Sequence, residues 1–216
     1  MLIEYRPKSL ADQVYERLEE SILNGEYSPG DILTEKQLSV ELGVSRTPIR
    51  EALSRLEYDS LVKETSQGTE VRGINEDDVK DLYDVKKNLE TLAVKKAVEN
   101  MTEEDIKALR DVVDQQIYFA GKGDTEKVRN LDTEFHDIIY GRCGSVTFEK
   151  ILSGVHHKLK KYRRNSLKSK KRIKASVIEH EEILKAIEER NAKEAQRLMT
   201  KHLENAYKSV IASEDN

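Results

Sequence analysis

The histidines are the residues of this chain with the most distinctive chemistry. All five lie in its second half, and His136 follows Asp132 by four positions. Residues four apart on an α-helix lie on one face, so this carboxylate and this imidazole could bind one divalent metal ion together. His180 and His202 lie on two later predicted helices, and each could add one nitrogen ligand at the centre of a helical bundle. A small carboxylate could fill the positions that such a set leaves open on an octahedral ion.

The histidine pattern also has an ordinary interpretation. An isolated histidine on a helix is more often a core or surface residue than a ligand, and Asp-x-x-x-His is weak evidence by itself. His156 and His157 begin a run with ten Lys or Arg residues and no acid from 156 to 174, and we do not count them as ligands. We interpret the run as a solvated helix face and loop, with a site for an anionic effector or for DNA as the alternative.

A second chemically distinctive group lies near residue 46. Arg46 and Arg50 are four residues apart in a predicted helix and therefore share a face. Arginine is the usual reader of guanine edges, and the hydroxyls of Ser45 and Thr47 can bind phosphate together with free N–H groups at the helix start. The alternative is that both arginines form surface ion pairs with nearby glutamates.

Short elements are predicted to position this basic group within residues 1–73. Apolar residues at helical spacing indicate a first helix, two further helices flank a tight turn at Gly43, and residues 61–65 and 69–72 alternate like the strands of a hairpin. This order of elements is that of a winged helix-turn-helix, which places the start of its second motif helix against DNA. The predicted helix-start and helix-end residues are Ser9, Gly25, Thr34, Gly43 and Ser45.

The charge of this segment limits how it could bind DNA. Residues 1–73 hold nine Lys or Arg against fourteen Asp or Glu, a net charge of −5, whereas DNA-binding domains are usually basic. The positive field must therefore be confined to one face. Two copies in a dimer would compensate for weak binding by one domain. The basic residues of the predicted face are Arg6, Lys8, Lys36, Arg46 and Arg50.

Residues 74–216 are predicted to be entirely helical. The three prolines all lie at or before Pro48, so nothing breaks long helices afterwards. Asn75 is a candidate N-cap at the boundary between the two segments. Apolar residues recur at helical spacing in about six stretches, which predicts an all-α bundle. The fold class is therefore mostly α, with a small β-hairpin wing in the first part.

Composition excludes several classes of protein. Cys143 is the only cysteine, so an internal disulfide and a cysteine-built zinc site are excluded. The chain has no run of 18 apolar residues, so we expect no membrane span. Its start lacks the apolar stretch of a secretory signal. We expect a cytoplasmic protein without membrane partners.

Residues 8–73 resemble the DNA-binding domain of the GntR family of bacterial regulators. The resemblance rests on residues 25–38 (GEYSPGDILTEKQL) and 43–53 (GVSRTPIREAL). It implies a homodimer that binds a short inverted repeat in double-stranded DNA. The DNA contacts that it implies are Lys36, Ser45, Arg46, Thr47, Arg50, Gln67 and Gly68.

Residues 76–212 resemble FCD, the helical ligand-sensing domain of one GntR subfamily. The matching segments are 81–90 (DLYDVKKNLE), 131–136 (LDTEFH), 179–187 (EHEEILKAI) and 199–202 (MTKH). The resemblance implies a divalent metal ion, with Zn, Ni or Mn expected, and a small organic acid bound through it. Lys86 stands where the family usually has an arginine near the effector, which weakens bidentate capture of a carboxylate. The implied metal ligands are Asp132, His136, His180 and His202.

Together these observations predict a ligand-responsive, dimeric transcription regulator. A repressor is expected because repression is the commoner mode of the family. A second hypothesis keeps the DNA binding and makes the metal itself the signal. A third is a metal-dependent hydrolase that would use the same four metal ligands. It lacks a convincing nucleophile or second general base, because its only local carboxylate candidates, Glu134 and Glu181, are better explained as residues of solvated helix faces. We therefore expect no enzyme activity.

Overall fold

The computed structural model describes residues 8–160, 162–163, 167 and 169–214. The chain divides into two compact units, one ending at Asp78 and the other beginning at Val79. The assignment of separate functional domains to residues 1–73 and 74–216 stays a prediction. The predicted N-cap is present at the junction, because Asn75 Oδ1 accepts a hydrogen bond from the backbone N–H of Asp78 at 2.9 Å.

The first unit is a helix-turn-helix with a small antiparallel sheet, as the sequence predicts. Its described elements are α1 (Leu10–Asn24), β1 (Ile32–Leu33), α2 (Glu35–Leu42), α3 (Arg46–Tyr58), β2 (Val62–Thr65) and β3 (Gly68–Val71). Strands β2 and β3 form the predicted hairpin. Strand β1, which the sequence analysis did not predict, pairs with the other edge of β3, with Leu33 opposite Thr69.

Local signals explain where the helices of this unit begin and end. Ser9 and Asp12 form a reciprocal capping box at the start of α1, and the Thr34 hydroxyl accepts from the N–H of Gln37 at the start of α2. Gly43 ends α2 with a φ of 66°, in the left-handed region that glycine adopts without steric cost. The tight turn at Gly43 sets the direction in which α3 leaves α2.

The second unit is the predicted all-α bundle. Its described helices are α4 (Glu76–Asn100), which starts just before the unit boundary, α5 (Glu103–Lys122), α6 (Thr125–Arg142), α7 (Val146–Lys158), α8 (Lys170–Glu188) and α9 (Ala192–Glu214). Helix α5 packs against α6 and α8, and α8 packs against α9. Within the described residues, none of the helices is long and apolar enough to cross a membrane.

The core of the bundle is apolar except at one place. Leu109, Phe135, Ile139 and Ile183 are fully buried, as such residues usually are. Around them lies a set of polar side chains of which at most 5% is exposed. Buried polar groups are costly unless they are hydrogen-bonded, so this cluster needs a specific explanation. Its members are Lys86, Glu90, Gln116, Asp132, His136, His156, Ser176, His180 and His202.

Helix α2 offers a matched test of the core of the first unit. Leu38 is completely buried, whereas Val40, two residues later, is 81% exposed. Leu38→Ala should lower the free energy of unfolding of this unit by about 2–5 kcal/mol, because it removes buried methyl groups and leaves a cavity. Val40→Ala should change it by less than about 0.5 kcal/mol. Native-state hydrogen exchange of the amides of α1 and α3 measures both effects in the full chain.

Candidate metal centre and nucleic-acid interface

Three of the four predicted metal ligands meet at one point in the bundle. His136 on α6, His180 on α8 and His202 on α9 each present a ring nitrogen within 4.8 Å of those of the other two. All three side chains are at least 96% buried. The apolar residue before His136 helps to bring the rings together, because Phe135 stacks on His180 with ring centroids 4.0 Å apart.

The protonation state of His180 follows from its neighbours. The Gln116 amide donates from Nε2 to the carbonyl of Leu131 at 2.9 Å, so its Oε1 is the atom that faces His180 Nδ1 at 2.8 Å. An amide oxygen only accepts hydrogen bonds, so His180 Nδ1 carries the proton and Nε2 carries a lone pair. That Nε2 atom is buried and has no hydrogen-bond partner among the described residues. A buried lone pair without a donor is what a metal ligand requires.

The other two histidines are held from outside in the same way. His202 Nδ1 lies 2.8 Å from Glu179 Oε2, and His136 Nδ1 contacts Glu90 Oε1. In each ring, Nδ1 therefore donates to an acceptor at the edge of the cluster, which leaves Nε2 for the interior of the cluster. Such outer acceptors orient metal-binding imidazoles and fix their tautomers. The donor set fits a divalent ion of the Zn, Ni or Mn class.

Asp132, the fourth predicted ligand, stands beside this group. Its Oδ1 is 3.7 Å from His180 Nε2, but it is not one of the residues whose ligand atoms all lie within 4.8 Å of one another. Its Oδ2 accepts a hydrogen bond from the guanidinium of Arg163. The carboxylate is therefore shared between the centre and an arginine, an arrangement that the sequence analysis did not predict.

Burial sets the charge state of these groups. It lowers the pKa of His180 to about 3 and that of His136 well below its ordinary value, so both imidazoles are neutral near pH 7. Burial is the largest single influence and would raise the pKa of Asp132, but the charge and hydrogen bond of Arg163 together with the neighbouring imidazoles outweigh it and lower the pKa below the usual range. Neutral imidazoles and an ionised carboxylate are the forms that bind metal.

Among the residues that the structure describes, three ion pairs surround the histidines. Each joins a cation to a carboxylate that either holds a histidine or is itself a predicted ligand. Lys86, predicted to contact the effector, is 2% exposed and pairs with the fully buried Glu90. Its pKa is lowered by burial, against the attraction of Glu90. The pairs are Lys86–Glu90, Arg163–Asp132 and Arg172–Glu179.

A cavity adjoins the centre and brings these groups to one surface. Its wall includes Lys86, Asp132, His136, Arg163 and Arg172. Two further lining residues, Tyr83 and Ser176, have buried hydroxyl oxygens without a partner among the described residues. The cavity therefore offers cations and hydroxyl groups to a small polar ligand.

The remaining histidines are placed differently. His156 is buried, but its Nδ1 faces the Tyr140 hydroxyl at 3.3 Å and its Nε2 contacts Arg163. It lies outside the group of three, and so does His157. That neither binds metal stays a prediction. Of the basic run, residues 161, 164–166 and 168 lie outside the described residues.

Sequence reasoning missed the residues that hold the ligands in place. Glu90, Gln116 and Glu179 lie on α4, α5 and α8, and each contacts a histidine. Glu90 and Glu179 lie in two of the segments that resemble FCD, 81–90 and 179–187, whereas Gln116 lies in none of them. For Gln116 the available signal was composition, since a polar residue within an apolar stretch needs a buried partner.

The predicted DNA contacts of the first unit are mostly exposed. Ser45, Arg46, Thr47 and Arg50 at the start of α3 are all exposed, and Ser45 makes no side-chain capping bond to the described backbone. Lys36 on α2 and Gln67 at the wing tip are exposed as well. Of the predicted basic arm, Lys8 is exposed and contacts Glu16, and Arg6 lies outside the described residues.

Two features give this surface a defined shape. Arg50 forms a two-bond contact with Glu35 of α2, with nitrogen–oxygen distances of 2.7 and 2.9 Å. At the wing, Gly68 has a φ of 139°, and a Cβ there would lie 3.0 Å from the carbonyl oxygen of Leu33. Only glycine fits at this position, so the wing approaches β1 closely.

Comparison with known proteins assigns a family to each of the two parts of the chain. The protein-family model described as "Bacterial regulatory proteins, gntR family" matches residues 10–71, and the FCD domain model matches residues 81–205. An uncharacterized HTH-type transcriptional regulator, YdhC, of Bacillus subtilis (strain 168) is 28% identical and covers 88% of this chain and 86% of its own. The HTH-type transcriptional regulator McbR of Escherichia coli (strain K12) is 33% identical over 62% of this chain and 61% of its own.

Solved structures show the same fold. The structure of E. coli McbR/YncC superposes with a TM-score of 0.78 over 97% of this chain and 100% of the other, at 22% identity. The family models, relatives and fold agree with the expectation of a regulator rather than an enzyme, and the hydrolase hypothesis has no support. This chain therefore belongs to the GntR family of bacterial DNA-binding transcription regulators and carries an FCD domain in its helical part.

Proposed function

We propose that this protein is a dimeric transcription repressor whose helical domain binds a small organic acid through a divalent metal ion. Residues 1–73 form the DNA-binding domain and residues 74–216 the sensing domain. The observation that carries the sensing role is the set of three buried histidines, each with Nδ1 on an acceptor at the edge of the cluster. The Nε2 atom of His180, which has no hydrogen-bond partner among the described residues, adds to it. A histidine that served the core alone would have both nitrogens satisfied.

The DNA-binding role rests on the exposed start of α3. Arg46 and Arg50 can reach base edges, while Ser45, Thr47 and Lys36 can hold phosphates. Gln67 and Gly68 extend the contact to the wing. Because the domain carries a net charge of −5, one copy has little general attraction for DNA. A homodimer on an inverted repeat doubles the specific contacts.

The sensing role assigns the metal to His136, His180, His202 and Asp132, with Zn, Ni or Mn as the ion. When bound, such an ion is a Lewis acid that attracts a carboxylate oxygen. Lys86 adds a positive charge to the cavity wall, although its ammonium is already paired with Glu90. A small carboxylate fits the cations and hydroxyl groups of the cavity.

Signal transfer requires two states of the dimer with different spacing between the recognition helices. An effector that binds one state more tightly shifts the population toward it and changes the affinity for the operator. Since the operator is chromosomal DNA of a bacterium, the cytoplasm is the expected compartment. The alternative in which the metal itself is the signal predicts that metal changes operator affinity without any acid.

The DNA-binding role predicts the effect of two substitutions in α3. Arg46→Ala and Arg50→Ala should each weaken binding to the operator by roughly 1–3 kcal/mol, because each removes a charged contact to base or phosphate. Neither should change the fold, since both side chains are exposed. Fluorescence anisotropy with a labelled operator fragment measures the affinity at one fixed salt concentration.

A charge-matched control distinguishes the loss of a specific DNA contact from the loss of general electrostatic attraction to DNA. Arg17→Ala on α1 removes the same charge from an exposed surface pair with Glu26 and should leave the affinity nearly unchanged. Operator affinity that is unaffected by both α3 substitutions would contradict the assignment of α3 as the recognition helix.

The sensing role predicts one divalent ion per chain. His136→Ala and His202→Ala should abolish stoichiometric binding of Zn, Ni or Mn, because each removes one of three nitrogen ligands. Metal affinity should fall as pH decreases, since a proton and a metal ion compete for the same nitrogen. Because the pKa of His180 is about 3, this ligand stays unprotonated down to a much lower pH than a free histidine. Isothermal titration with each metal at two pH values, followed by elemental analysis, measures these effects.

His156→Ala and His157→Ala serve as controls and should keep the metal. Loss of metal in these two variants, with retention in the other two, would show that other histidines are the ligands. If the wild-type protein takes up none of the three metals, the cluster is a polar core and the acid must bind to it directly.

A further inference from the structure

Gln116 brings α5 into contact with the three histidines, although α5 itself carries none of the four predicted ligands. The side chain of Gln116 is completely buried. Both ends of its amide are used: Nε2 donates to the carbonyl of Leu131, which directly precedes Asp132, and Oε1 faces His180 Nδ1. One neutral side chain therefore joins the backbone beside one predicted ligand to the ring of another.

This amide differs in charge from the acceptors of the other two rings. His136 and His202 each face a carboxylate that is itself paired with a cation. A carboxylate attracts the imidazole proton strongly and holds it on Nδ1. The neutral oxygen of Gln116 attracts the proton less. Of the three imidazole protons, that of His180 is therefore the one most easily drawn to a competing acceptor.

The competing acceptor is Asp132. Its Oδ1 lies 3.7 Å from His180 Nε2, slightly beyond hydrogen-bond distance, and its Oδ2 is held by Arg163. An ionised carboxylate is a stronger acceptor than an amide oxygen. If the proton moved to Nε2, the ring would stay neutral, but a small shift would bond it to Asp132. Two predicted metal ligands would then occupy each other.

We propose that Gln116 is a positioning residue for metal binding, because it keeps the proton of His180 on Nδ1 and so leaves Nε2 free as a ligand. The inference rests on the proposed function, since it treats His180 as a metal ligand. The contact between Gln116 Oε1 and Nδ1 is 2.8 Å long, clearly shorter than the distance from Nε2 to Asp132. The Leu131 carbonyl fixes the orientation of the amide, because the opposite orientation would place two oxygen acceptors against each other.

Gln116→Met tests the placement of the proton. Methionine is unbranched and adaptable in a core, but it lacks the amide, so Nδ1 of His180 loses its acceptor. In the metal-free full chain, we expect the wild-type ring to carry its proton on Nδ1 and the variant ring to carry it on Nε2. Long-range ¹H–¹⁵N correlation spectra of protein labelled at histidine distinguish the two tautomers. The signals of His180 are those that disappear in His180→Gln.

The same variants test the effect on metal binding. The Kd for Ni²⁺, measured by isothermal titration, should rise roughly 10- to 100-fold in Gln116→Met, as for loss of other outer partners of metal-binding histidines. Gln116→Glu restores an acceptor for Nδ1, and should keep the wild-type tautomer and recover most of the affinity. The control is Gln115→Met on the same helix, because Gln115 is exposed and donates only to the carbonyl of Asp111 among the described residues. It should leave the tautomer and the Kd unchanged.

The outcomes separate this inference from the proposed function. A wild-type His180 with its proton on Nε2, or an unchanged tautomer in Gln116→Met, overturns the inference alone. A changed tautomer with unchanged Ni²⁺ affinity also overturns it, because the proton then does not control the site. A wild-type chain that binds no Ni²⁺, Zn²⁺ or Mn²⁺ overturns both the sensing function and this role of Gln116. Gln116→Leu replaces Gln116→Met if thermal unfolding shows that the methionine variant does not fold.

Discussion

The structure of the helical unit depends on the burial of three imidazoles at one point. Each ring must satisfy its Nδ1 proton without water, and each does so on an acceptor from a different helix: Glu90 on α4, Gln116 on α5 and Glu179 on α8. These acceptors are themselves held, by Lys86, by the carbonyl of Leu131 and by Arg172 respectively. The histidine cluster therefore ties five of the six described bundle helices to a common centre, and packing elsewhere must accommodate it.

The buried charges around that centre affect both the stability of the fold and the electrostatics of the proposed ligand site. Removing one partner of a buried ion pair leaves an uncompensated charge and is usually strongly destabilising, so Lys86 and Glu90 must be kept together for the fold. The same pairs set the electrostatic state that any metal ion or acid encounters. Stability and the proposed ligand recognition thus rest on the same three pairs, Lys86–Glu90, Arg163–Asp132 and Arg172–Glu179, which restricts how far this cavity can be altered without loss of the fold.

Local features were predictable from the sequence, and contacts between helices were not. The caps at Ser9, Thr34 and Asn75 and the turn at Gly43 depend on a few neighbouring residues, so the order of elements in the first unit and the helical nature of the second followed from them. Strand β1 was missed because two residues show no periodicity. The spacing of Asp132 and His136 and the family resemblance pointed to the cluster. The contact between Arg163 and Asp132 depends on the path of the chain between two helices, which no local pattern encodes.

The bidentate contact between Arg50 and Glu35 has a consequence for how the protein searches a genome. Any DNA contact made by Arg50 first has to replace two hydrogen bonds that already satisfy its guanidinium. That cost is the same at every position along the duplex, whereas the gain differs with the base presented. A guanine edge returns two hydrogen bonds in the same planar arrangement, and other edges return fewer. Under the proposed role of Arg50, the intramolecular pair lowers the affinity for every sequence by the same amount, and only a site whose base edge returns both hydrogen bonds recovers that cost.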